Sequence, residues 1–153
     1  MTEASADDAS EAAASEGSDV LLSVQKLCKL RDGERVVAAL SLDPRVAGAI
    51  APKKEGDVPK VHAIAVTSDG YALRFGLDGF VEPSTRAGRR FARPADGAEV
   101  VGVSRLTGDE ILITATREAR GLLCRADEVN FLSGPGKGVI LINVGRGDLV
   151  DPS

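Results

Sequence analysis

The chain has 153 residues, of which 43% are apolar and only 3% aromatic, enough for one core-bearing domain of ordinary size beside a tail. Two cysteines, Cys28 and Cys124, cannot build a disulfide framework or complete a four-ligand zinc site. The single histidine, His62, leaves no His-based catalytic or metal constellation, so neither cofactor nor metal is expected. No apolar run is long enough to span a bilayer, and the N-terminus lacks the basic-then-apolar order of a signal peptide, so a cytoplasmic chain without membrane contact is the expectation.

The net charge of −4 hides an asymmetry. Residues 1–19 carry six of the 23 acids and no Lys or Arg, which leaves 19 basic against 17 acidic side chains in residues 20–153, a net of +2. An acidic leader on a slightly basic body is a weak pointer to a polyanionic partner. The leader is Ala, Ser, Asp, Glu and Gly almost throughout, buries little, and is expected to be a disordered tail over 1–19.

From Val20 the pattern is one of short β-rich runs between turns. Residues 20–30 alternate apolar and polar, Arg31-Asp-Gly-Glu34 reads as a turn, and Arg35–Leu42 as a second strand. Residues 43–60 hold Pro44, Pro52, Pro59, Gly48 and Gly56 and read as a long exposed loop. Strands are predicted at 61–67, 71–75, 100–106, 110–116, 121–125 and 139–144, with turns at Ser68-Asp-Gly70, Thr107-Gly-Asp109 and Arg117-Glu-Ala-Arg120. No stretch after Val20 sustains a helical period, which makes the chain all-β.

A repeat sets the architecture. Thr67, Leu73, Asp78 and Phe80 fall on Thr116, Leu122, Asp127 and Val129 at an offset of 49, and the offset returns after a one-residue gap to place Glu99-Val-Val101 on Asp148-Leu-Val150. A third copy of the closing piece lies at Asp32-Gly-Glu-Arg-Val-Val37. A β-rich period of this length belongs to propeller-type arrays of four-stranded blades, because a small sheet exposes two faces that neighbouring sheets must cover. The reading is a repeat domain over 20–150: a partial blade at 20–42, the loop at 43–60, and two complete blades at 61–109 and 110–150.

Ile64-Ala-Val-Thr-Ser-Asp-Gly-Tyr-Ala-Leu-Arg-Phe75, then Pro83-Ser-Thr-Arg-Ala-Gly-Arg-Arg-Phe91, then Asp96-Gly-Ala-Glu-Val-Val101 form one unit. Ile113-Thr-Ala-Thr-Arg-Glu-Ala-Arg-Gly-Leu-Leu123, Ser133-Gly-Pro-Gly-Lys-Gly-Val-Ile140 and Gly147-Asp-Leu-Val150 form the second. This sequence of strand, basic glycine-rich loop and acidic closure resembles the blades of the C-terminal β-pinwheel domain of bacterial type IIA topoisomerase A subunits, those of DNA gyrase and topoisomerase IV. The Gln-Arg-Arg-Gly-Gly-Lys-Gly box of gyrase is missing. The resemblance implies a detached or divergent piece of such a domain, bacterial and nucleoid-associated. It also implies a noncatalytic part of a DNA topoisomerase that binds double-stranded DNA without sequence preference and works beside other topoisomerase subunits or domains.

Arg86, Arg89, Arg90 and Arg93 put four guanidinium groups into eight positions with no acid among them. Guanidinium groups clamp phosphate oxygens in pairs, so this loop suits a nucleic-acid backbone. Lys137 stands in the equivalent loop of the second repeat, Arg117 and Arg120 in its turn, and Arg74 and Arg125 at comparable strand positions. On a pinwheel, the resemblance implies, these side chains recur around a rim that holds curved duplex. Base readout is not expected, since there is no recognition helix and no aromatic stacking platform.

Other motifs carry less. Gly134-Pro-Gly-Lys-Gly138 lacks both the first glycine and the Ser/Thr of a phosphate-binding P-loop. Arg146-Gly-Asp148 reads as a turn, His62 as a surface or edge residue, Cys28 and Cys124 as core, and Tyr71 as a hairpin cap. No nucleophile and base can be assembled, so no enzyme activity is expected of the chain itself. The alternative to DNA binding is a propeller-like protein-interaction or assembly module, with apolar edge strands at 20–30 or 139–144 that pair with another chain.

Overall fold

The computed structural model describes residue 30 and residues 32–50, 56–85 and 87–150. Residues 37–153 form one compact unit, and of the unit before it the described residues show only a turn at Asp32–Gly33. The expected acidic tail at 1–19 and strand at 20–30, with Cys28, lie outside the described residues, apart from Leu30.

Strands β1 (His62–Thr67) and β2 (Tyr71–Gly76) form an antiparallel hairpin whose register sets Ile64 opposite Arg74 and Ala65 opposite Leu73. Its turn is built by Thr67, whose hydroxyl accepts the Tyr71 N–H at 3.2 Å while its carbonyl accepts the Gly70 N–H at 3.0 Å. Strand β3 (Val100–Leu106) joins the far side of β1, antiparallel, with a bulge at Val66/Thr67. Strands β4 (Ile111–Ala115) and β5 (Gly121–Arg125) make a second hairpin. Two short strands follow, β6 (Phe131–Leu132) and β7 (Val139–Ile140).

The sheets do not follow the repeat boundary. Strand β6 pairs parallel with β2, and β7 pairs antiparallel with the same strand, giving the order β3-β1-β2-β6 with β7 also on β2. The second repeat thus completes the sheet begun by the first. Gly138 makes this fit possible: its φ is 86°, and a Cβ there would stand 2.1 Å from the Ala72 carbonyl oxygen. Leu141 and Ile142 continue the contact, both donating their N–H to the Gly70 carbonyl. Strand β7 is therefore shorter than the 139–144 run predicted from sequence.

The first hairpin is buried on both faces, which explains its nearly unbroken apolar sequence. Ala63, Ala65, Leu73 and Phe75 point into one core with Leu77 and Ala92. Ile64 and Ala72 point into another, closed by Leu106, Ala126 and Val129. The second hairpin alternates instead, with Leu112, Thr114, Leu122 and Cys124 more covered than their neighbours.

Two sequence expectations fail between residues 34 and 60. Residues 34–43 form no strand, because Leu40 and Leu42 pack onto the first core rather than onto a ladder partner. The loop at 43–60 is not simply exposed: Asp43 caps a one-turn helix, α1 (Pro44–Ala47), by accepting the Arg45 N–H at 2.9 Å, Ala47 is buried, and Ile50 joins the core. An Asp-Pro pair at the cap and first position is a helix start, and that signal outweighs the surrounding prolines and glycines.

Candidate nucleic-acid interface

The two basic loops predicted from sequence are brought side by side. Ala92 bridges to Gly136 in parallel register, and the Arg93 N–H donates to the Gly136 carbonyl at 2.8 Å. The second-repeat loop spans β2, between the pairings of β6 and β7 with that strand. Past the C-terminal end of that strand, the Arg89 guanidinium donates to the Gly79 carbonyl. At the N-terminal end, the Lys137 ammonium sits 3.8 Å from the centroid of the Tyr71 ring and 3.9 Å from Asp69. Arg89, Arg90, Arg93 and Lys137 are all exposed, while Arg86 lies outside the described residues.

Arg90 also borders a cleft of about 190 Å³ lined by Phe75, Phe80, Phe91 and Phe131, which are all the phenylalanines of the chain. Phe91 stacks on Phe75 with centroids 4.7 Å apart, and this stack anchors the stem of the arginine loop to the core. The loop is therefore held at its C-terminal end, by the ring stack and by the adjacent Ala92–Gly136 bridge. The spacing of aromatics in the sequence carries no sign of this cluster, because its members come from four separated segments.

The remaining predicted cations are placed differently. Arg74, expected at a DNA-facing strand position, is only 9% exposed. Its guanidinium donates to the carbonyls of Val129 at 2.5 Å and Asp127 at 3.1 Å and to His62 Nε2 at 3.3 Å, so it ties the first repeat to the second. Desolvation lowers its pKa, against the pull of Asp127. His62, expected at the surface, is buried beneath it with Nδ1 donating to the Pro59 carbonyl at 2.8 Å. Burial pushes the His62 pKa down.

Arg120 and Arg125 are exposed but held by acids two positions away: Arg120 by Glu118 at 2.8 Å and Arg125 by Asp127 at 2.9 Å. These side-chain hydrogen bonds raise the pKa of both arginines. Arg120 also donates to the Asn143 carbonyl at 3.2 Å and lies 3.8 Å from Asp148. Burial pushes the Asp148 carboxyl up, but hydrogen bonds from Thr116 and from the Glu118 and Leu149 N–H groups hold it below the usual carboxylate range. Arg117 is exposed at the head of the same turn, its N–H donating to the Leu149 carbonyl. Cys124 is half-buried, with its thiol pushed up by burial.

Among the described residues no group of His, Cys, Asp and Glu could hold a metal ion, and no helix is long and apolar enough to cross a membrane.

Repeated sheets that complete one another across the repeat boundary define a propeller-type, all-β protein. The sequence matches the DNA gyrase C-terminal domain, beta-propeller family over residues 25–43, 62–107 and 110–151, more than half of the chain, and the chain belongs to that family. Solved structures similar to it include three C-terminal domains. A DNA gyrase A C-terminal domain matches with a TM-score of 0.52 and 20% identity, over 59% of this chain and 29% of that one. The C-terminal domain of a DNA topoisomerase IV matches with a TM-score of 0.56 and 19% identity, over 61% and 31%. The E. coli ParC C-terminal domain matches with a TM-score of 0.50 and 22% identity, over 59% and 39%. The chain thus spans about a third of the length of the solved structures it matches. No curated protein sequence matches it.

Proposed function

We propose that the chain is a noncatalytic module that binds duplex DNA through its phosphates and supports changes of DNA topology in the bacterial cytoplasm, beside other subunits or domains of a type IIA topoisomerase. One observation carries this reading: basic loops from successive repeats are knitted together by the Arg93–Gly136 hydrogen bond. They set Arg93 beside the loop that carries Lys137, with Arg86, Arg89 and Arg90 in the loop of Arg93. Family membership adds weight, since gyrase A and topoisomerase IV C-terminal domains share the fold.

The contacts are to phosphate rather than to bases, because long flexible cations on loops fix register without reading groove edges. Arg74 takes no part, being used between the repeats. Arg120, Arg125 and Lys137 contribute less than their charge implies, because a neighbouring carboxylate offsets each of them. Arg117 adds a further cation at the turn of the second repeat.

Fluorescence anisotropy on labelled duplexes of unrelated sequence tests the reading. Similar affinity for each duplex at low ionic strength is expected. Absence of binding at low ionic strength, or a strong preference for one sequence, would contradict it.

A further inference from the structure

The two repeats treat one acid differently. Each follows its hairpin with a single 3-10 turn, Asp78–Phe80 in the first and Ala126–Glu128 in the second. The repeat offset of 49 sets Asp78 on Asp127 and Gly76 on Arg125. In the second repeat Arg125 pairs with Asp127 at 2.9 Å. In the first, Gly76 leaves Asp78 without that partner, and among the described residues no other side chain pairs with it. A Cβ at Gly76 would stand 2.6 Å from an Asp78 carboxylate oxygen and 3.7 Å from the Phe131 ring, so the glycine also lets carboxylate and ring converge. Both border the phenylalanine cleft, as does Arg90. The cleft too is particular to the first repeat: Phe75 and Phe80 give way to Cys124 and Val129 in the second and, after the one-residue gap, Arg90 gives way to Gly138.

We propose that this cleft takes one unpaired guanine of a DNA strand, its ring among the phenylalanines, its Watson–Crick edge on Asp78 and its phosphate on Arg90. The inference rests on the DNA-binding reading and adds a site to it. A volume of about 190 Å³ lies below the roughly 300–1,000 Å³ of sites for drug-sized ligands, which suits a single ring system. Aromatic side chains stack with any base, so the rings by themselves do not choose among the four. The Asp78 carboxylate does, because an ionised carboxylate only accepts hydrogen bonds. Guanine presents two adjacent donors on that edge, N1–H and the 2-amino group, to match the two carboxylate oxygens. Adenine and cytosine each set one amino group beside an acceptor nitrogen, and thymine sets its N3–H between two carbonyls. In a paired base this edge is already occupied, so fully paired duplex gains nothing here and its phosphate contacts stay sequence-tolerant. Arg90 supplies the anion-binding group, and its loop continues the cationic run through Arg89 and Arg93. That run matches successive phosphates, which favours a nucleotide within a strand over a peptide or an isolated small molecule.

Fluorescence anisotropy of the full chain with a labelled duplex carrying one extra, unpaired guanine tests it. The comparisons are the fully paired duplex and duplexes whose extra base is thymine or hypoxanthine, which lacks the 2-amino group. The guanine bulge is expected to bind roughly tenfold or more tighter than the paired duplex, the effect of one stacked base, and tighter than either other bulge. Comparing bulges with one another removes the effect of the bend that any extra base introduces. Asp78→Asn, and Gly76→Ala, which pushes a methyl group against the carboxylate, should each erase the preference for guanine over hypoxanthine while paired-duplex binding grows no weaker. The added methyl group meets the ends of side chains and no backbone, so Gly76→Ala should fold, and far-ultraviolet dichroism and thermal melting check both variants. Equal affinity for the guanine and thymine bulges, or a guanine preference that survives both substitutions, overturns the proposal and leaves the duplex reading standing. Absence of binding to every one of the duplexes overturns both.

Discussion

Ala119 stands in the second repeat where Gly70 stands in the first, in the same left-handed backbone conformation: φ is 60° at Ala119 and 81° at Gly70. Each donates its N–H to the carbonyl of the threonine three residues earlier, at 2.9 Å to Thr116 and 3.0 Å to Thr67. The next residue in each case, Arg120 or Tyr71, donates its N–H to that threonine's hydroxyl. The shared turn explains why the two threonines recur at the repeat spacing.

This conformation costs an L-residue roughly 1–2 kcal/mol, part of which a glycine gives back as unfolded-chain entropy. Ala119→Gly should therefore stabilise the protein by about 0.5 kcal/mol, a rise of one to a few degrees in Tm by calorimetry. Gly70→Ala should act in the opposite direction and far more strongly, since a Cβ there would lie 2.1 Å from the Ile142 carbonyl oxygen.

Two glycines of one loop should differ sharply on substitution. Gly138→Ala forces a methyl group against the Ala72 backbone at a positive φ and should cost at least ~2 kcal/mol by separating β7 from β2. A methyl group added at Gly134 would meet no atom within 4 Å, so Gly134→Ala should fall within about ±0.5 kcal/mol of the parent. Urea denaturation of the two variants measures both.

Arg74 and His62 together predict an acid-sensitive contact between the repeats. Arg74→Met leaves the Asp127 and Val129 carbonyls without their charged donor and should cost roughly 2–3 kcal/mol. Burial lowers the His62 pKa below 6.5, so the unfolded chain binds this proton more readily than the folded one. The stability His62 contributes is then complete above pH 6.5 and declines as pH falls below it. Denaturation midpoints measured from neutral to mildly acidic pH should show this decline, and His62→Gln should flatten it.

A second pH window lies lower. Burial pushes the Glu110 carboxyl up, but the Thr107 hydroxyl and the Thr107 and Gly108 N–H groups, at 2.5, 2.6 and 2.9 Å, outweigh it and bring the pKa to about 2. Stability from this carboxylate is present above pH 4.5 and is lost between pH 4.5 and 2. The group is half-buried in a surface turn, and solvent screening limits its worth to ~1 kcal/mol or less. Glu110→Gln should lower Tm by a few degrees at neutral pH and by less at about pH 3.

The repeat was legible because its turns are local chemistry. Thr67 and Thr116 sit four residues before the N–H groups they cap, and the flanking β-branched runs mark the hairpins. The joining of β6 and β7 to β2 was not legible, because pairing between segments more than 50 residues apart leaves no local period in the sequence. The same reason hid the role of Arg74, whose carbonyl partners lie 53 and 55 residues away. The pairing of Arg120 and Arg125 had a readable sign, an acid two positions off in a turn, which a count of cations passes over. For the arginine loop, the run of basic residues was plain, while the phenylalanine stack that anchors it appears only once the chain is folded.

The salt dependence of duplex affinity tests the central claim most directly. The logarithm of the binding constant should fall steeply and linearly with the logarithm of salt concentration. Replacing Arg89, Arg90 and Arg93 by Ala should make that slope shallower by roughly 0.9 for each lost phosphate contact, with a matching loss of affinity at every salt concentration. An affinity indifferent to salt, or a slope unchanged in the triple variant while the fold is intact, would contradict the account.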